Sequence, residues 1–218
     1  EAQFQIPGIN DGFIPQDLDY LDESDTWLFS GYMTDDSPSP LYKRTPDGQV
    51  SRVFVDLPDG QVYTGHGSAI TTTDDYAFLA REGGYLVLSA ADVDAAADGQ
   101  HVQAVGEVDL DFTPAFMNIE NGSLYAGNFY YPEKYETPAQ HRITTPDGTL
   151  NPAIMYVYPA DESAPYGFAE QAECVYSIRD KVQGTAQTAD GKLVLSCSYG
   201  LATSHLSVYD LSKLTQDG

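Results

Sequence analysis

One pattern returns near both ends of this chain, and it restricts the fold more than any local propensity does. Near the start it reads Ile14-Pro15-Gln16-Asp17-Leu18-Asp19-Tyr20, a short acidic gap, Trp27-Leu28-Phe29-Ser30-Gly31-Tyr32, then Leu41-Tyr42. Near the end it reads Val182-Gln183-Gly184-Thr185-Ala186-Gln187-Thr188, Asp190-Gly191, Leu193-Val194-Leu195-Ser196-Cys197-Ser198-Tyr199, then His205-Leu206-Ser207-Val208-Tyr209-Asp210. Each copy is a strand opened by a Gln, a turn, an apolar strand closing on Ser-x-Tyr or a near variant, a variable loop and a further strand. Repeats of this kind read as the blades of a β-propeller.

Between the two copies, turn residues mark the remaining clusters of strands. The first cluster covers residues 14–63 and turns at Thr45-Pro46-Asp47-Gly48 into a strand over residues 50–57. The second starts at Gly65-His66-Gly67 and ends with a strand over residues 102–108, after an Ala- and Asp-rich stretch, residues 90–99, that suits one helical turn. The third starts near Pro114, turns at Asn121-Gly122, carries a long insertion over residues 130–152 and closes before Ile178. A β-sandwich also gives short strands with regular turns. The repeated register of Gln, turn and Ser-x-Tyr favours an all-β propeller of four visible blade units, part of a five-bladed ring.

The chain reads as a single β-propeller domain over residues 1–218, incomplete at its C-terminus. It stops at Leu211-Ser212-Lys213-Leu214-Thr215-Gln216-Asp217-Gly218, where the fourth unit needs its outer strand. Residues 4–9, a missing blade or a second chain is expected to supply that strand, because an open blade flank exposes apolar surface. The start, Glu1-Ala2-Gln3, suits a mature or trimmed chain, which allows export.

Charge narrows the partners. There are 33 acidic and 10 basic residues, a net charge of -23. Such a field repels nucleic-acid phosphates and anionic lipid, and the densest basic spot is only Lys43-Arg44. No apolar run suits membrane insertion. The acidity reads first as solubility, with calcium affinity or a salty environment as alternatives. No cofactor is assigned. Calcium stays open at Asp92, Asp94 and Asp98, although that run lacks the Gly and closing Glu of a calcium loop. The four His are too scattered for a metal site. Cys174 and Cys197 each fall in a strand, as buried free thiols or as a disulfide pair.

Two groups of residues are candidates for ligand contact. In a propeller the inner strand of each blade lines the axial channel. Gln16 with Asp17, His66, Asn118 and Gln183 open those strands and form a candidate polar ring at the channel mouth. The plainer alternative is that they bond to neighbouring backbone. The insertion is the second candidate, because compact domains seldom carry structureless loops of that length without a function. It holds Tyr130, Tyr131, Lys134, Tyr135, His141 and Arg142, a mixture suited to stacking on a sugar and gripping a carboxylate or hydroxyl. The resulting ligand set is Gln16, His66, Asn118, Tyr131, His141, Arg142 and Gln183.

The strings Tyr63-Thr64-Gly65-His66-Gly67, Gly127-Asn128-Phe129-Tyr130-Tyr131-Pro132, Thr144-Thr145-Pro146-Asp147-Gly148, and Val182-Gln183-Gly184 through Ser198-Tyr199-Gly200 add a family. Over residues 15–210 the chain resembles a group of bacterial, secreted β-propeller proteins that have no assigned reaction. The resemblance implies a propeller fold, an extracytoplasmic location and a further blade whose first strand carries a Ser-Glu pair. Lactonase and NHL-like propellers share the architecture only, since their Glu, Asn and Asp metal set has no match here.

The functional expectation is an extracytoplasmic propeller, secreted or on the cell surface, that binds a small polar molecule or glycan at the channel mouth. The alternatives are a lactonase- or esterase-type hydrolase with His66 or His141 as general base, and a protein-interaction scaffold. A hydrolase calls for a His bonded to a carboxylate beside an open pocket.

Overall fold

The computed structural model describes residues 4–215; Glu1, Ala2, Gln3, Gln216, Asp217 and Gly218 lie outside the described residues. Nearly all regular structure is β, and the four-bladed arrangement expected from the repeat is present. The chain divides into two compact units, one ending at Pro114 and the other beginning at Ala115.

The first unit holds two blades. Blade one runs from β1 (Phe13–Leu21) through β2 (Thr26–Met33) and β3 (Pro40–Arg44) to β4 (Val50–Asp56), each antiparallel to the last. Blade two is β5 (Ile70–Thr72), β6 (Tyr76–Arg81) and β7 (Gly84–Ser89), followed by helix α1 (Ala90–Ala95), β8 (Gln100–Gln103) and β9 (Gly106–Asp109). The single strand expected over residues 102–108 is in fact two. β8 pairs parallel with β4 of blade one, and β9 pairs antiparallel with β7 of blade two.

Residues Ala77–Ala80 of β6 and Tyr85–Leu88 of β7 are buried without alternation, so both faces of these strands are covered. The core joins Leu28, Leu41, Val53, Val55, Leu79 and Leu86. Lys43 is spent inside this unit. Its ammonium donates to the carbonyls of Val93 (2.9 Å), Asp94 (2.6 Å) and Ala96 (2.8 Å) and caps the C-terminal end of α1. Residues 4–12 form turns rather than the missing strand. Phe4 packs edge-on against Phe29, with Arg44 4.2 Å over its ring.

The second unit holds blades three and four. Blade three contains β10 (Phe116–Glu120) and β11 (Ser123–Gly127), then the insertion with its hairpin β12 (Ile143–Thr144) and β13 (Leu150–Asn151), then β14 (Ala153–Tyr158) and β15 (Cys174–Ile178). The expected Asn121-Gly122 turn is present, with φ of 51° and 79°, values that a two-residue hairpin loop requires and that Gly adopts freely. Blade four is β16 (Val182–Gln187), β17 (Lys192–Cys197) and β18 (His205–Asp210). Among the described residues no fourth strand lies beyond β18. Both thiols are free, and Cys174 is exposed rather than buried.

Candidate functional site

In an antiparallel blade, the start of the first strand and the connection between the second and third strands lie at the same end. In the second unit that end collects the insertion after β11, the entry to β16 and the loop after β17. In the first unit it collects the entry to β1 and the end of β2.

The two repeated Gln mark the same backbone feature. The β1–β2 register slips between Pro15 and Asp17, and the β16–β17 register slips between Val182 and Gly184. Gln16 and Gln183 are therefore the extra residues of two β-bulges, which bend the inner strand where it enters the blade. Gln183 donates from Nε2 to the Ser198 carbonyl (3.3 Å), and Gln16 donates to the Pro15 carbonyl (3.2 Å).

Residues two apart on an inner strand face the same side, and each unit uses one such pair to stitch adjacent inner strands. Asp17 accepts from the Ile70 N–H (3.1 Å) and Asp19 from the Thr72 N–H (2.7 Å). In the second unit Asn118 donates to the Thr185 carbonyl (3.0 Å), and Glu120 accepts from the Gln187 N–H (3.3 Å). Asn118 also donates to Glu120. Burial pushes the Asp17 carboxyl from the usual 3.8 up to about 7, although the Ile70 and Leu18 N–H groups pull it back. Burial raises Asp19 as well.

His66 is not a strand opener. It lies exposed in the loop before β5 and stacks on Tyr32, with ring centroids 4.4 Å apart and planes at 14°. His141 ends a short 3-10 turn and is 1% exposed. The buried Asn128 fixes it. Asn128 Oδ1 accepts from the Ile154 N–H (3.0 Å), so its Nδ2 faces His141 Nδ1 (2.9 Å), which acts as the acceptor. Arg142 donates to the Thr137 carbonyl from Nε (3.1 Å) and Nη2 (2.8 Å), pairs with Glu136, and lies over the Tyr130 ring. His141 and Arg142 hold the insertion in shape and present the neighbouring tyrosines.

The product is a half-exposed aromatic and cationic cluster. Tyr131 stacks on Tyr199 with centroids 4.2 Å apart and planes at 25°. Lys181 Nζ lies 5.3 Å from the Tyr131 centroid, and Lys134 Nζ lies 5.2 Å from that of Tyr199. Tyr135 packs edge-on against Tyr199 and against Phe129, which lies tilted at 35° to the Tyr199 ring. Lys134 donates to the Tyr199 hydroxyl, an interaction that holds the ammonium above its usual range. Each ammonium–ring contact is worth only about 0.5–1 kcal/mol at an exposed site, so the lysines can give way to a ligand.

Of the expected ligand set, Tyr131 falls in this cluster; Tyr199, Lys181 and Phe129, which complete it, lay outside that set. A usable signal was present: Tyr199 closes the repeated motif, and Lys181 stands immediately before it. Asp92 and Asp94 lie on α1, Asp94 accepts from Ser24, and Asp98 accepts from the Arg52 N–H. Among the described residues no three His, Cys, Asp or Glu side chains converge. A His–carboxylate contact does occur in the first unit. His101 Nδ1 is 2.8 Å from Asp56 Oδ1, beside a recess of about 160 Å³ lined by Met33, Tyr42, Arg52 and Phe54.

No protein-family model matches the chain, and no curated protein matches it. Solved structures do. The WD40 β-propeller domain of Doa1 aligns with a TM-score of 0.50 at 11% identity, covering 91% of this chain and 66% of that one. A proposed glycoside hydrolase from Parabacteroides distasonis aligns at 0.44 and 8% identity, covering 88% of this chain and 66% of that one. The extracellular domain of a proposed one-component system from B. thetaiotaomicron aligns at 0.38 and 13% identity, covering 97% of this chain and 36% of that one. The Doa1 likeness supports the fold: the chain is a β-propeller, and it spans 66% of the length of that domain. The other two likenesses add no argument.

Proposed function

We propose that this propeller binds a small polar or carbohydrate-like ligand outside the cytoplasm, on the aromatic and cationic cluster of its second unit. One observation carries the reading: Tyr131 and Tyr199 form an accessible stack flanked by two lysines, built by two loops far apart in sequence. Stacked rings with movable polar neighbours suit the apolar face and hydroxyl rim of a sugar. The net charge of -23 argues against nucleic acid and anionic lipid as partners. No described helix is long and apolar enough to cross a membrane. The extracytoplasmic location, the place within a bacterial secreted family and the reading as one domain continued by a further blade or second chain rest on the sequence resemblance and the repeat.

Isothermal titration against a panel of neutral and acidic oligosaccharides tests the reading. At least one is expected to bind, and Tyr199→Ala is expected to remove that binding while leaving the folded circular-dichroism spectrum unchanged. Binding that survives Tyr199→Ala would place the site elsewhere.

A hydrolase reading is also supported at His101, since a His bonded to a carboxylate beside a recess is the arrangement an ester hydrolase would need. Hydrolysis of a p-nitrophenyl ester that disappears in His101→Gln would favour it over the binding reading.

A further inference from the structure

We infer that the ligand of the tyrosine cluster is an acidic sugar, a pyranose carrying a carboxylate; this rests on the binding reading above and specifies it. The first argument is the occupancy of the rings. The Tyr131–Tyr199 stack uses one face of each ring, and rings 4.2 Å apart leave no room for an ammonium between them. Lys181 therefore sits against the ring surface that remains on Tyr131, while Lys134, bonded to the Tyr199 hydroxyl, stands at the edge of that ring. A sugar that stacks on Tyr131 there must displace Lys181. A neutral sugar gains the ring face and loses the ammonium contact. An acidic sugar gains the ring face and keeps the ammonium as the partner of its carboxylate.

The second argument is charge. Over residues 133–142 and 179–181, the segments that supply Lys134 and Lys181, Lys134, Arg142, Arg179 and Lys181 outnumber Glu133, Glu136 and Asp180, a net charge of +1 in a chain of -23. Most of these charges are already paired. Arg142 pairs with Glu136, while Arg179 and Lys181 share Asp180. Lys134 stands apart: its partner is the Tyr199 hydroxyl, and among the described residues no carboxylate pairs with it. A cation held at the edge of an aromatic stack and lacking an acidic partner of its own is suited to receive one from a ligand.

Titration of glucuronate and galacturonate di- and trisaccharides, each against its methyl ester, tests this. Esterification removes the charge and leaves the ring unchanged. The acids are expected to bind at least tenfold more tightly than their esters, and Lys134→Met is expected to bring the acids down to the level of the esters. Equal affinity of acid and ester would overturn the acidic-sugar assignment and leave the binding reading intact. Binding by neither, with Tyr199 intact, would overturn both. An acid preference that persists in Lys134→Met would also overturn the assignment of Lys134 as the carboxylate's partner.

Discussion

The two units repeat one design and differ in charge. Each stitches adjacent inner strands with polar side chains two residues apart, Asp17 and Asp19 in the first, Asn118 and Glu120 in the second. Residues through 114 hold 21 acidic and 4 basic side chains, a net of -17; those from 115 hold 12 and 6, a net of -6. Of the four basic residues in the first unit, Lys43 is consumed by a helix end. The same blade end carries Tyr32 on His66 in the first unit and Tyr131 on Tyr199 in the second, but only the second stack has lysines over its rings. A repeat thus fixes where polar and aromatic groups stand, and substitutions within it decide which copy carries cations beside its rings.

The largest expected effect tests the stitching. Asp17 holds its proton more tightly folded, at about 7, than at its ordinary 3.8. Folding therefore takes up protons between these values, and stability is expected to fall as pH rises from about 4 to 7. The whole shift corresponds to about 4 kcal/mol at most, less what partial contact with water removes. Carboxyls held low by hydrogen bonds, such as Asp47 and Asp147, act in the opposite sense and only below pH 4. Urea midpoints for Asp17→Asn against the parent isolate the effect. The variant is expected to be the more stable at pH 8 and to lose that advantage by pH 4.5. A constant difference across the range would mean that Asp17 is not the titrating group.

The next effect concerns the stacks. Removing a central aromatic from a binding site costs about 2 kcal/mol, which is roughly 30-fold in affinity. Tyr131→Ala or Tyr199→Ala should show this loss for an acidic trisaccharide, whereas Tyr32→Ala should stay within about twofold. Equal losses from Tyr32 and Tyr199 would end the functional distinction between the units. A smaller effect follows from importing the first unit's chemistry into the second. Asn118→Asp removes the donor to the Thr185 carbonyl and sets a carboxylate beside Glu120. A loss of about 1.5 kcal/mol at pH 8, recovered in acid, is expected from thermal unfolding. A loss independent of pH would point to packing instead.

Much of this comparison was legible in the sequence, for physical reasons that also set its limits. Gln16 and Gln183 stood out because a bulge imposes the same local pattern in both copies. The Asn121-Gly122 turn was legible because its backbone needs positive φ. Residues 102–108 misled because alternation does not say which sheet receives a strand, and two blades divide that stretch. His141 looked like a ligand contact, yet its ring is 1% exposed and engaged by Asn128; composition alone cannot tell a loop's anchor from its tip. Lys181 and Tyr199 escaped because their partners lie some fifty residues or more away, in the insertion.

The smallest expected effect concerns the outer edge of the second unit. In the first unit β4, the fourth strand of its blade and itself paired with β8, buries Val53 and Val55 completely, whereas β18, the third strand of its blade, leaves Leu206 71% and Val208 57% exposed. Replacing buried Val55 by Lys would put an unpaired charge in the core and is expected to unfold the blade. Leu206→Lys and Val208→Lys change side chains that already face water, so each should shift stability by no more than about 0.5 kcal/mol. The same substitutions report on a cover. If an added strand packs over Leu206 and Val208 in solution, each Lys must be desolvated beneath it. A loss above about 2 kcal/mol, or one that grows with protein concentration, would then show that β18 is covered. A loss within about 0.5 kcal/mol at every concentration would show that β18 is a solvated edge, unlike β4, which β8 covers.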